Sequence, residues 1–117
     1  MVIVYGIKNC DTVKKACAWL TRNNIEFQFH DFRKDGLTQA KIRQWTKIVD
    51  WETLLNRRGT TWRKLSDSVK ANITMAHAQK LMAEQPTLIK RPVVENGKHI
   101  TIGFSQDSFT EFFDARG

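Results

Sequence analysis

A chain of 117 residues is long enough for one hydrophobic core and too short for two ordinary domains of roughly 100 to 150 residues each. Its 41% apolar and 26% charged composition excludes wholesale disorder and fibrous repeats, and no apolar run approaches the eighteen or so residues that span a bilayer or forms an export signal. The formal charge of +7 raises nucleic acid as a partner, but the basic residues are spread from Lys8 to Arg116. Their densest cluster is Arg57, Arg58, Arg63 and Lys64, with no DNA- or RNA-binding motif, so a solvated basic surface or an anion-binding cleft is expected instead.

Residues 2–5 are β-branched and aromatic and end at Gly6, which predicts a short buried strand. After a loop over residues 6–10, the apolar residues Val13, Ala16, Cys17 and Leu20 recur at i, i+3, i+4 and i+7. That spacing predicts one face of an amphipathic helix from Asp11 to about Asn23 and Asn24, with Cys10 at its N-terminus. Ile25, Phe27 and Phe29 alternate with Glu26, Gln28 and His30, so a second strand with one covered face is expected. Two strands joined through one helix imply a right-handed crossover and a parallel pair.

The middle of the chain reads as helical. Thr38 can cap a segment carrying Ile42, Trp45 and Val49, and short pieces are expected at 51–55 and 60–65, separated at Gly59. Thr74 can cap a segment carrying Ala78, Leu81 and Met82 before Pro86 stops it. After Arg91-Pro92, residues 93–95 and 99–102 flank the pair Asn96-Gly97, which suits the positive φ angles of a type I′ hairpin turn. Ser105 can cap a last helix that covers the sheet with Phe109, Phe112 and Phe113. The predicted order is βαβ, helices, ββα in an α/β protein, read as one domain over 1–117 whose residues of about 36–86 are an all-helical insertion between 1–33 and 88–117.

Chemistry concentrates at Cys10. A thiol is idle unless ionised, and its free value of about 8.5 falls at a helix N-terminus beside positive charge. Cys10 has unpaired helix N–H groups ahead of it and Lys8, Lys14 and Lys15 close by, with Asp11 opposing. The same N-terminus would attract an oxyanion or a carboxylate. Cys17 belongs to the apolar stripe and reads as a buried core thiol, about 10 Å from Cys10 along the axis, so an internal disulfide is not expected. Two cysteines are too few for a disulfide framework and are expected to stay reduced in the cytoplasm. On the residues alone a trans proline starting a strand is the default at Pro92, although X-Pro before a strand admits a cis bond. His30, His77 and His99 share no metal-ligand spacing with the cysteines, so no metal is expected. Trp19, Trp45, Trp51 and Trp62 read as core or interface anchors.

Residues 5–10, the helix residues Lys14, Lys15, Ala16, Cys17, Ala18, Trp19 and Leu20, the segment Leu54-Leu55-Asn56-Arg57-Arg58 and the segment from Pro86 to Val94 resemble the glutaredoxin-linked arsenate reductase (ArsC) family. That family also contains the Spx transcriptional regulators and small proteins of the YffB group, to which the likeness is greatest. The resemblance implies a thioredoxin-like mixed four-stranded sheet with a helical insertion, Cys10 as nucleophile and Pro92 as the cis-proline facing it. It implies that the Arg91 backbone pairs with a thiol substrate and that the Arg91 guanidinium holds an oxyanion beside the cysteine. Asn9, Thr12 and Lys14 belong to the implied substrate- and glutathione-binding set, and Lys8, Arg57 and Arg91 could hold the carboxylates of glutathione.

The departures carry information too. Asn56 stands where the reductases have an arginine beside the double leucine, with Arg57 next to it. Ile102-Gly103-Phe104 offers no third oxyanion-binding arginine, which resembles the Spx branch. Lys14 replaces an arginine and Gly6 a histidine. Spx proteins have a Cys-x-x-Cys switch, whereas Val13 occupies the third position after Cys10. These departures point away from arsenate and towards monothiol chemistry, in which Cys10 forms a mixed disulfide that an external thiol resolves. The leading expectation is a glutathione-dependent thiol oxidoreductase with no bound cofactor, glutathione as co-substrate and glutaredoxin as a possible partner. The alternative is a non-catalytic, Spx-like regulatory or binding protein; a nucleic-acid binder, resting on charge alone, ranks last.

Overall fold

The computed structural model describes residues 1–114. The chain forms two compact units, Met1–Asp35 with the segment from Arg91 onward, and Gly36–Lys90. The first unit is built on a four-stranded sheet of β1 (Val2–Gly6), β2 (Phe27–Asp31), β3 (Val93–Asn96) and β4 (His99–Ile102), in the order β2-β1-β3-β4. β1 and β2 are parallel, joined through α1 (Asp11–Arg22), while β3 runs antiparallel to both β1 and β4. This βαβ followed by ββα, with a cis Arg91-Pro92 bond ahead of β3, is a thioredoxin-like α/β fold.

Strand pleating sends alternate side chains to opposite faces, and β1 uses both. Val2 and Val4, with Val94 of β3, pack against Ala16, Trp19 and Leu20 of α1 and against Phe109 and Phe113 of α8 (Gln106–Asp114). The aromatic rings interlock: Trp19 meets Phe109 edge-on at 5.4 Å and stacks on Phe113 at 5.7 Å. Ring pairs of this kind add roughly 0.5–1.5 kcal/mol beyond the area they bury. Ser105 caps α8 reciprocally: its Oγ accepts from the Ser108 N–H at 3.0 Å, and the Ser108 Oγ accepts from the Ser105 N–H at 3.1 Å. On the other face the Tyr5 hydroxyl donates to Glu95 Oε1 at 3.0 Å, and its ring lies 4.8 Å from that of His30.

Two sequence expectations are corrected. Phe29, expected on the covered side of β2, is 36% exposed. β2 is the sheet edge, and the apolar cluster is centred on β1 and β3, so Ile25 and Phe27 reach it and Phe29 does not. The hairpin turn is Gly97-Lys98, because Asn96 pairs with His99 inside the ladder. Gly97 has φ +61°, and Lys98 is not among the non-glycine residues with positive φ. Positive φ at the first central position alone defines a type II′ turn, not type I′.

The second unit is helical: α3 (Gln39–Thr46), α4 (Trp51–Leu54), α5 (Thr60–Arg63), α6 (Asp67–Ala71), α7 (Met75–Glu84) and a 3-10 turn over Pro86–Leu88. Thr38 and Thr74 cap α3 and α7 by accepting from the N–H groups of Lys41 and His77. α3 stops at Thr46, short of Val49. Ile42, Trp45, Leu54, Ala78, Met82, Leu88 and Ile89 are fully buried, and the buried Gln79 side chain donates to Thr46 Oγ1 at 2.9 Å. α6 and α2 (Phe32–Asp35) are helices beyond those expected from the sequence. No described helix is long and apolar enough to cross a membrane.

Candidate active site

Cys10 occupies the N-cap of α1 with extended dihedrals, φ −100° and ψ 124°. Two backbone bonds fix it there. Its N–H donates to the Ile7 carbonyl at 3.2 Å, and its own carbonyl accepts from the Lys14 N–H at 3.0 Å, starting the helical ladder. The thiol closes no side-chain cap of its own, leaving the first N–H groups of the helix to act on the charged form of the sulfur.

The acidity of Cys10 is a contest that the charged form wins. Desolvation raises the thiol value, but the backbone N–H of Val13, the Arg91 side chain as hydrogen-bond donor, the backbone N–H of Thr12 and the charge of Arg91 together bring it below the ordinary thiol range. Hydrogen bonding to the ionised form and a nearby opposite charge are the two effects that favour a thiolate. Cys17 shows the converse: half-buried against the apolar cluster rather than fully buried, its thiol is pushed up by desolvation.

Arg91 immediately precedes the cis bond to Pro92, whose side chain is fully buried and whose carbonyl accepts from the Gly103 N–H at 2.8 Å. Val93 then pairs with Tyr5 on β1. β3 is thereby registered so that Arg91 stands at the same end of the sheet as the N-terminus of α1.

The structure therefore brings Thr12 and Arg91 to bear on Cys10, with Pro92 next to Arg91 in the chain. Lys8, Asn9 and Lys14 are exposed around them, and the positive charge bearing on the sulfur is that of Arg91. Arg57 belongs to the helical unit, where its guanidinium lies over the Trp62 ring, 5.5 Å from the centroid; Asn56 Oδ1 there accepts from the Arg58 N–H at 3.1 Å. Sequence reasoning did not single out Val13, which acts through its backbone. The available signal was its place three residues after an N-cap, where a helix N–H is always unpaired. Among the described residues no group of three or more His, Cys, Asp or Glu side chains is arranged to hold a metal ion.

A thioredoxin-like sheet with a thiolate-favouring cysteine at the head of its first helix defines a protein of the thiol oxidoreductase-like class. The comparisons narrow this further: the ArsC family profile matches residues 5–112, and the chain belongs to the ArsC family. The solved YffB protein is 42% identical and superposes with a TM-score of 0.91, over 96% of this chain and 98% of that one. An arsenate reductase (ArsC) related protein from Brucella melitensis is 46% identical with a TM-score of 0.79, over 96% and 93%. The global transcriptional regulator Spx 1 of Lactococcus lactis is 30% identical over 114 residues, 96% of this chain and 88% of that one.

Proposed function

We propose that this protein is a monothiol oxidoreductase that uses glutathione as co-substrate in the cytoplasm. The observation that carries the reading is the place of Cys10 at the N-cap of α1, where the N–H groups of Val13 and Thr12 and the guanidinium of Arg91 bring its thiol below the ordinary range. The Cys10 thiolate attacks one sulfur of a disulfide substrate, that S–S bond breaks, and the other sulfur leaves as a thiolate that takes a proton from water. A glutathione thiolate then attacks the mixed disulfide. Where the group held on Cys10 is itself glutathionyl, the products are oxidised glutathione and the regenerated Cys10 thiolate, and the two electrons have passed from glutathione to the substrate. Val13 at the third position after Cys10 supports an external resolving thiol, and Arg91, together with Lys8, suits the carboxylates of glutathione.

The test is intact mass after exposure to oxidised glutathione, coupled to turnover of a glutathionylated peptide by reduced glutathione. One adduct on Cys10 and turnover lost in Cys10→Ser are expected; no adduct and no turnover would sink the reading. Asn56 and the Ile102-Gly103-Phe104 segment, which supply no further oxyanion arginine, support the expectation that arsenate-dependent glutathione oxidation through glutaredoxin stays near background.

A second reading, a regulatory protein that binds its partner without turnover, is favoured by Gly103-Phe104 and by the likeness to Spx 1. It predicts a partner retained when Cys10 becomes Ser.

A further inference from the structure

Along β1, Val2, Val4 and Gly6 point to the face that α1 covers. Val2 and Val4 fill that face with side chains packed among Ala16, Trp19 and Leu20. At Gly6 no side chain fits: a Cβ there would lie 2.7 Å from Val13 Cγ2 and 3.3 Å from Cγ1. The helix thus approaches the strand closely at its own first turn, and Val13, 2% exposed, occupies the space that residue 6 leaves. Val13 is β-branched and has little rotamer freedom in a helix, so its side chain cannot swing aside. Gly6 cannot retreat either, since it is held opposite Asp31 in the β1–β2 ladder.

We propose that Gly6 is a positioning residue for Cys10: by presenting bare backbone it seats Val13, and the seat of Val13 fixes where the first turn of α1 delivers its N–H groups to the sulfur. Two connections transmit this. The N–H of Val13 is the strongest of the influences that favour the Cys10 thiolate. The Cys10 N–H is tied to the carbonyl of Ile7, the residue after Gly6, so the sulfur is referenced to the strand end on one side and to Val13 on the other. A shift of a few tenths of an ångström between them changes donor distance and angle at the sulfur, to which such bonds are steeply sensitive.

The inference rests on the thiolate reading above and deepens it. The experiment is a double-mutant cycle on the full chain, Gly6→Ala, Val13→Ala and the pair, read by the pH dependence of Cys10 alkylation followed by peptide mass, with circular dichroism confirming the fold. Each single substitution is expected to raise the alkylation midpoint, slowing the reaction at neutral pH about three- to tenfold, equivalent to about half to one pH unit. Gly6→Ala does so by crowding the seat and Val13→Ala by emptying it. In the pair the new methyl at residue 6 refills the space, so the midpoint returns towards the parent value. That non-additivity is what general loosening would not produce. If Gly6→Ala fails to fold alone, the pair decides: recovery of the fold and of a near-parent midpoint once Val13 is alanine supports the proposal, and a pair that stays unfolded or keeps a raised midpoint overturns it. Unchanged midpoints in the singles, additive shifts in the pair, or a parent midpoint at the ordinary thiol value would each overturn the proposal. Glutathione turnover is measured on the same samples: a non-additive cycle without turnover defeats the function and keeps the positioning role, and turnover with unmoved midpoints does the reverse.

Discussion

The guanidinium of Arg91 acts on the Cys10 sulfur both as a hydrogen-bond donor and as a charge, so the residue before the cis-proline and the cap of α1 form one electrostatic unit. Arg91→Ala removes both effects and leaves desolvation opposed only by Val13 and Thr12. The Cys10 alkylation midpoint is expected to rise, with a several-fold slower reaction at neutral pH. Arg91→Lys restores charge without the planar fork and falls between. A midpoint untouched by Arg91→Ala would show that the helix N–H groups suffice.

The two thiols give the stability opposite pH dependences. Cys10 has a folded value below its unfolded value of about 8.5. Its contribution is therefore complete above that unfolded value and is lost as pH falls through the folded value. Cys17 has a raised folded value, so its contribution is complete below about 8.5 and is lost as pH rises through the folded value. Denaturant midpoints followed across that range should show the gap between the parent and Cys10→Ser widening towards alkaline pH, and the gap to Cys17→Ala narrowing there. Parallel curves for Cys10→Ser would contradict the depressed thiol.

Ser105 and Ser108 satisfy each other's backbone N–H groups at the start of α8. Ser105→Ala should cost about 1 kcal/mol of unfolding free energy. Because each hydroxyl serves the same helix terminus, the Ser105→Ala, Ser108→Ala pair should cost less than the sum of the singles, checked by urea denaturation.

Gly97 turns the hairpin with φ +61° and nothing within reach of an added Cβ. The penalty for Gly97→Ala is then conformational alone, roughly 1–2 kcal/mol, and Gly97→Asn should recover part of it because asparagine tolerates that region. Equal stability of the alanine and glycine proteins would mean that the turn relaxes.

The legible parts of this molecule were those where one local signal sufficed. Val13, Ala16, Cys17 and Leu20 placed α1 and so put Cys10 at its head; Thr38, Thr74 and Ser105 placed three helix starts. Asn96-Gly97 points to a turn one residue too early, because two adjacent turn formers do not say which register the ladder will adopt. Pairing with His99 decides it. Phe29 followed the right period, but sequence does not reveal how far a cover extends over an edge strand. Arg91 was identifiable only by resemblance. Nothing local links it to Cys10, and the link is made by β3 pairing with β1.

That pairing also couples reactivity to folding. Tyr5 and Glu95, which join β1 to β3 by a side-chain hydrogen bond, stand 90 positions apart, with the whole helical unit strung between the strands. Contacts of such separation raise contact order and slow folding, even though closure entropy grows only slowly with loop length. Before that closure the βαβ segment already holds Cys10, Thr12 and Val13 but lacks Arg91. Arg91 reaches Cys10 only with that long-range closure, so in a chain whose β3 has not yet paired the Cys10 thiolate lacks the guanidinium that favours it.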